Sequence, residues 1–153
     1  MNVLQPDEDD FRAELERILW PLAEKVSRRA KAEGVAGHTV VLTTATNRVI
    51  TERTAVHLGI EHLIATECEL GPDGTYTGRV QGMPNMREGK VVRLREWLSA
   101  RGLALEALDS VAYSDSMNDA PLLQAARRAV AVDPDARLAA LAAERGWTVL
   151  RWR

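Results

Sequence analysis

The chain switches repeatedly between two hydrophobic periods, and that alternation limits the folds open to it more than any other feature. Short β-branched or apolar runs occur at HTVVLTT (38 to 44), HLIAT (62 to 66), SVAY (110 to 113), AVAV (129 to 132) and TVLRW (148 to 152), each of strand length. Between them, apolar residues return at helical spacing from about Arg48 to Leu58, from Glu88 to Ala100, through APLLQAAR from Ala120, and through PDARLAALAAERG from Pro134. Strands alternating with helices predict an α/β fold built on a doubly wound parallel sheet, whose interior strands are buried on both faces and so read as continuous apolar runs. One segment departs from this pattern: ECELGPDGTYTGRVQGM, residues 67 to 83, reads as a hairpin turning at Pro72 to Gly74. Ahead of the first strand, Phe11, Leu15, Ile18, Leu19, Leu22 and Val26 follow an acidic start at Asp7 and predict a helix to about Glu33, kinked or split at Pro21.

Composition narrows the function classes. A length of 153 residues with 46% apolar side chains suits one domain with a real core. A net charge of −2, from 20 basic and 22 acidic residues mixed along the chain, leaves no electrostatic footprint for nucleic acid or an anionic membrane. Cys68 is the single cysteine, which excludes an internal disulfide and a thiolate metal cluster. No apolar run reaches the roughly 18 residues of a membrane span, and MNVLQPDEDD lacks the basic and apolar regions of a signal peptide, so a cytoplasmic protein is expected.

Ligands of open α/β sheets bind outside the C-terminal ends of the strands. In VAYSDSMNDAPLL, residues 111 to 123, that address falls on Asp115, with Asp119 one helical turn on and Ser116 and Asn118 beside them. Hard oxygen ligands grouped this way suit Mg²⁺. The competing reading makes Ser114, Asp115 and Ser116 a helix N-cap and Asp119 a complement to the helix dipole. At the end of VVLTTATN, Thr44 and Asn47 are placed to donate hydrogen bonds to a phosphate oxygen, although threonine there also satisfies strand propensity. In MREGKVVRLREWL, Lys90 opens a helix, either as a cation for a phosphoryl group or as a solvated face residue; the segment lacks the upstream glycine of a P-loop.

Taken together and in order, TTATNRVITE, GTYTGRVQGMPNMREGKVVRL and YSDSMNDAPLL resemble the haloacid dehalogenase-like (HAD) hydrolases, specifically the phosphoserine-phosphatase-like branch, subfamily IB, from roughly Leu15 to the C-terminus. The resemblance matches Thr44 to the family's second motif, Lys90 to its third, and Asp115 with Asp119 to its fourth. It implies that Thr44 and Lys90 hold the transferring phosphoryl group, that Asp115 ligates Mg²⁺, and that Asp119 supports the metal site. Donors and positive charge around a phosphoryl group are what its transfer requires. The implied substrate is a small phosphate ester.

The family's first motif, an apolar strand ending in D-x-D-x-T that carries the nucleophile and the general acid and base, has no counterpart here. The D-x-D that precedes Thr44 is Asp7-Glu8-Asp9, which follows Gln5 and Pro6, lacks the trailing threonine and reads as the acidic start of a helix. The resemblance therefore implies a Rossmannoid core, residues 38 to 153, without its nucleophile strand and most of its cap, with residues 1 to 37 as a remnant of the cap and the helix leading back. Two interior strands then lose their neighbour, and each buried orphan backbone group costs about 1 to 3 kcal/mol. The expected function is the C-terminal portion of a Mg²⁺-dependent phosphate monoester hydrolase, inactive in this form. The alternative is a non-catalytic protein of the same fold that binds phosphate compounds or a partner chain supplying the missing strand. His57 and His62 read as a helix-end and a strand-start residue rather than a metal pair, and His38 as a strand-edge residue. Tyr76 and Arg79 read equally as pocket-mouth residues or as surface hairpin pairs.

Overall fold

A computed structural model of the chain describes residues 39 to 152. The helix expected from Asp7 to Glu33, His38, and the Asp7 and Asp9 carboxylates lie outside the described residues. The chain divides into two compact units, residues 1–42 with 48–63, and residues 43–47 with 64–153.

In the smaller unit, the described residues centre on helix α1 (Arg48–Leu58), with the same bounds as the sequence predicts. It buries Thr51, Ala55 and Leu58. Its end is closed by Gly59 and Ile60, whose N–H groups donate to the carbonyls of Val56 and Ala55. Arg48, at the start of the helix, reaches the Leu63 carbonyl at 3.1 Å.

The described strands form two three-stranded sheets, of order β1-β2-β3 and β4-β5-β6. Strand β1 is Val41–Asn47, β2 is His62–Leu70 and β3 is Tyr76–Gln81. Strand β2 runs on four residues past the expected HLIAT, and β1 keeps the expected length but starts at Val41 and ends three residues later than expected, at Asn47, because backbone pairing continues after the side chains turn polar. Strands β2 and β3 form the expected hairpin, antiparallel with Glu67 opposite Gln81 and Leu70 opposite Tyr76. Its turn is closed by Gly71 N–H to the Thr75 carbonyl at 2.7 Å, and by Asp73 Oδ1, which accepts from the Thr75 N–H and hydroxyl. All of β3 is exposed.

Helix α2 (Glu88–Ser99) follows, then a short 3-10 turn at Leu105–Ala107 that the sequence reading did not include. Strand β4 (Val111–Ser114), helix α3 (Ala120–Ala125), strand β5 (Arg128–Val132), helix α4 (Ala136–Arg145) and strand β6 (Thr148–Leu150) complete the chain. Strands β4, β5 and β6 are parallel, with Ser114 opposite Ala131 and Val132 opposite Leu150. Each parallel pair needs a crossover, and α3 and α4 supply them. Asp135 caps α4 by accepting from the Leu138 N–H at 2.8 Å, and Gly146 ends it in the left-handed conformation, φ 67. The core packs Leu123 of α3, Ala129 and Ala131 of β5, and Leu138 and Ala142 of α4, with Ala112, Met117 and Trp147 at its margin.

The α/β class is as expected, but the sheet is not continuous: among the described residues β1 and β4 each stand at the edge of their own sheet. Burial follows this order. Ala129 to Val132 in β5 are buried, whereas all four residues of β4 are only half-buried despite an apolar sequence.

Candidate functional site

The parallel register brings the C-terminal ends of β4, β5 and β6 to one edge, and Ser114, the last residue of β4, begins the site there. The chain turns sharply beyond it because local side chains take over the backbone donors. Ser114 Oγ accepts from the Ser116 N–H at 3.1 Å, Ser116 Oγ accepts from the Asn118 N–H at 3.2 Å, and the Ser116 carbonyl accepts from the Asp119 N–H at 3.0 Å. A 3-10 turn over Met117–Asp119 leads into α3, where Pro121 sits in the first turn and needs no backbone donor. Capping is thus the work of Ser116, and neither aspartate is spent on it.

Asp119 has other partners. Its Oδ2 accepts from the Ser114 hydroxyl at 2.7 Å, and its Oδ1 lies 2.7 Å from Lys90 Nζ. The side chains of Lys90 and Asp119 are only 8% and 13% exposed, so the ion pair is largely withdrawn from water. Lys90 therefore does not behave as a solvated face residue. It occupies the first turn of α2, where the helix dipole disfavours a cation, and the carboxylate offsets both the dipole and the loss of hydration. Asp115, by contrast, is exposed and makes no side-chain hydrogen bond or ion pair among the described residues. Ser116 is half-buried and Asn118 exposed, both within the same turn.

Lys90 is delivered by a tightly wound segment, residues 84 to 90. Met86 N–H donates to the Pro84 carbonyl, Gly89 N–H to Met86 and Lys90 N–H to Arg87. Arg87 adopts φ 50 and ψ −126 without a side-chain cap, a conformation that costs a non-glycine residue about 1 to 3 kcal/mol. Gly89 is buried, and a Cβ there would lie 2.3 Å from the Pro84 carbonyl oxygen. Further along α2, the Arg93 guanidinium donates to the Ala65 carbonyl and lies 3.5 Å from Glu67 Oε1, holding the helix against β2.

Asn85, fully buried, anchors the start of this segment. Its N–H donates to Thr66 Oγ1 at 3.0 Å, and its Nδ2 donates to Thr43 Oγ1 at 3.0 Å, the Thr44 carbonyl at 2.8 Å and the Ile64 carbonyl at 2.8 Å. Thr44 itself lies inside β1, three residues before the strand ends at Asn47, rather than at the terminus that the apolar pattern suggests. Its hydroxyl accepts from the Thr46 N–H at 3.2 Å.

The structure thus joins Lys90 directly to Asp119, and Thr44 to the Lys90 segment through Asn85. It adds two residues, Ser114 and Asn85, to those chosen from sequence. Ser114 was legible only as a cap, because its bond to Asp119 requires the turn to form. For Asn85 the one local signal was its place after Pro84 and shortly before Gly89 and Lys90, a spacing that marks a structured loop and not a buried anchor.

The donor set bears on Mg²⁺. This ion is held by one or two carboxylates and several waters, and Asp115 offers an unengaged carboxylate of that kind. Asp119, with both oxygens engaged, is placed to steady Lys90 and the turn that carries Asp115. Among the described residues no three His, Cys, Asp or Glu side chains gather to hold a metal. His57 lies in the last turn of α1, and His62 opens β2. Tyr76 is exposed on β3, and Arg79 pairs with Glu69 across the hairpin at 2.7 Å, which is the surface-pairing arrangement. No helix among the described residues is long and apolar enough to cross a membrane.

Comparison with known proteins places the chain in a family. The family profile of the haloacid dehalogenase-like hydrolases matches residues 3–124. The chain is 42% identical over 120 residues to a histidinol-phosphatase of Neisseria meningitidis serogroup C (strain 8013), covering 78% of this chain and 54% of that protein. It is 41% identical over 118 residues to phosphoserine phosphatase SerB1 of Mycobacterium tuberculosis (strain ATCC 25618 / H37Rv), covering 77% of this chain and 37% of that protein. Among solved structures, a protein of unknown function from Bordetella pertussis Tohama I superposes with a TM-score of 0.78 at 42% identity, covering 93% of this chain and 65% of that one. The chain thus spans about half or less of the length of these curated relatives. With the motif order, the α/β fold and the family match in agreement, the chain belongs to the haloacid dehalogenase-like hydrolases.

Proposed function

We propose that this chain carries the phosphoryl- and Mg²⁺-binding portion of a phosphate monoester hydrolase acting on a small phosphorylated metabolite. The observation that carries this reading is the largely buried Lys90–Asp119 pair, with Nζ 2.7 Å from Oδ1. A fold gains little stability from a buried lysine and retains one where its charge has a use.

The division of labour follows from the chemistry. Lys90 supplies positive charge to the phosphoryl oxygens, and Thr44 and Asn47 supply hydrogen-bond donors. Asp119 and Ser114 restrain the ammonium group, so that little reorganisation accompanies binding. Asp115 would hold Mg²⁺, with Ser116 and Asn118 shaping the turn around it. When bound, the ion neutralises charge on the phosphoryl oxygens. Residues 39 to 152 contain no strand ending in D-x-D-x-T, so they supply no aspartyl nucleophile of the family type. The 153-residue chain alone is accordingly expected to bind phosphate without turning over an ester.

Titration with inorganic phosphate in the presence and absence of Mg²⁺, followed by calorimetry, tests the proposal. Binding that strengthens with Mg²⁺ and is lost in Lys90→Met is the expected result; no binding, or binding indifferent to Lys90, would overturn it. Mg²⁺-dependent hydrolysis of p-nitrophenyl phosphate that vanishes in Asp7→Asn would overturn the expected lack of turnover and assign the nucleophile to the N-terminal D-x-D.

The half-buried β4 favours a second reading, in which a strand from another polypeptide adds to this edge by β-augmentation. A stable monomer with cooperative unfolding in size exclusion and urea titration would count against any need for such a strand; recovery of solubility or activity on adding a partner chain would support it.

A further inference from the structure

We infer that Asn85 is a positioning residue that sets the Lys90 ammonium group from within β1 and β2, a role whose catalytic meaning rests on the phosphoryl-binding reading above. Its side chain is fully buried and has one chemically sensible orientation. The Thr44 and Ile64 carbonyls both face Nδ2 at 2.8 Å, so turning the amide over would set its oxygen against two other oxygens. The two Nδ2 hydrogens serve three acceptors, the third being Thr43 Oγ1, while Oδ1 has no partner among the described residues. The amide thus works through its donors. It acts as a rivet, joining residues 41 or 42 positions away in β1 and 19 or 21 positions away in β2 to a single point on the loop.

From that point to Lys90 the chain has little freedom. Three successive turn hydrogen bonds close residues 84 to 90, Arg87 is held at positive φ, and Gly89 lies so close to the Pro84 carbonyl that no side chain fits. The position of Asn85 is thereby transmitted five residues along to Nζ, whose other restraint is Asp119 Oδ1 at 2.7 Å. Asn85 also fixes the carbonyl of Thr44, so one side chain sets the backbone of a proposed phosphoryl donor and the approach of the proposed phosphoryl cation.

The test separates positioning from mere support of the fold. The Lys90 Nζ protons of the full chain are observed by ¹⁵N-edited NMR in the wild type, in Asn85→Ala, and in Leu138→Ala, a destabilising control in the core of the other sheet. The expected result is solvent exchange at Lys90 Nζ about tenfold or more faster in Asn85→Ala than in wild type, with the control unchanged. Exchange in Asn85→Ala that matches the control would overturn the inference. Should Asn85→Ala fail to fold, Thr66→Val, which removes only the acceptor of the Asn85 N–H, is read the same way, with a rise of about threefold expected and no rise refuting. Inorganic phosphate titration with Mg²⁺ forms the second arm: the Kd should rise about tenfold in Asn85→Ala and stay unchanged in Leu138→Ala. Absence of phosphate binding in the wild type would overturn the phosphoryl-binding reading, while the lysine exchange rates would still decide whether Asn85 positions Lys90.

Discussion

Replacing Lys90 by methionine removes one charge from a pair that water barely reaches, and the structure allows its cost to be worked out. Removing one member of a buried ion pair costs about 3 to 5 kcal/mol, because the other charge is left without compensation. Here the stranded group is Asp119, which keeps its 2.7 Å bond from the Ser114 hydroxyl and is 13% exposed, so the lower end of that range applies. Methionine retains most of the aliphatic stem, and little packing is lost. We therefore expect Lys90→Met to destabilise the chain by about 3 kcal/mol, a shift in Tm of roughly 6 to 12 °C for a protein of this size. Asp119→Asn should cost a similar amount, since it strands the ammonium group instead. The double variant removes both charges and keeps an acceptor for Ser114, so it should lose only about 1 kcal/mol, well short of the sum of the single effects. Urea unfolding of the four proteins closes the cycle. Additive single effects, to within about 0.5 kcal/mol, would refute the reasoning and mean that the pair does not hold Lys90 in place.

Three further outcomes follow from other parts of the structure. Gly89→Ala gains helix propensity of about 1 kcal/mol but forces a Cβ to within 2.3 Å of the Pro84 carbonyl oxygen; we expect net destabilisation of about 1 to 2 kcal/mol in urea unfolding, and a neutral or stabilising result would show that the loop yields freely. Asp115→Asn should leave thermal stability within about 0.5 kcal/mol, since that side chain is exposed and unpaired, yet abolish the Mg²⁺-induced NMR shifts of the Ser116 to Asn118 amides; shifts that persist would place the metal elsewhere. In the hairpin, the Thr77 hydroxyl at 2.5 Å and then Arg79 hold the Glu69 carboxyl below the usual glutamate range. A pKa lowered by folding adds stability that is present above the ordinary glutamate pKa and lost as pH falls through the lowered one. Carboxyl ¹³C titration should therefore give a midpoint below the ordinary value that moves back up in Thr77→Val, and an unmoved midpoint would remove the hydroxyl as its cause.

Features governed by neighbours in the chain were legible in advance. Helix α1 was readable from Arg48 to Leu58, and β5 and α4 to within two residues, because hydrophobic period, Asp135 as a cap and Gly146 as a stop act within a turn or two. The order of Thr44, Lys90 and Asp115 was likewise enough to suggest the family. The pattern did not show where strands end: β1 runs on to Asn47 and β2 to Leu70, since backbone pairing, unlike burial, leaves no mark on side-chain type. Nor did it show that Lys90 is buried. A lysine in the first turn of a helix looks the same in sequence whether it faces water or a carboxylate 29 positions later, and only tertiary packing brings Asp119 to 2.7 Å from it. Asn85 is the limiting case. Its partners lie 19 to 42 residues upstream, on two different strands, and no local period encodes that meeting. Short-range propensity and spacing thus settled which elements form and which chemical groups the chain owns. Long-range packing settled which of those groups meet, and it was packing that brought a helix-start lysine and a loop asparagine to partners 19 to 42 positions away.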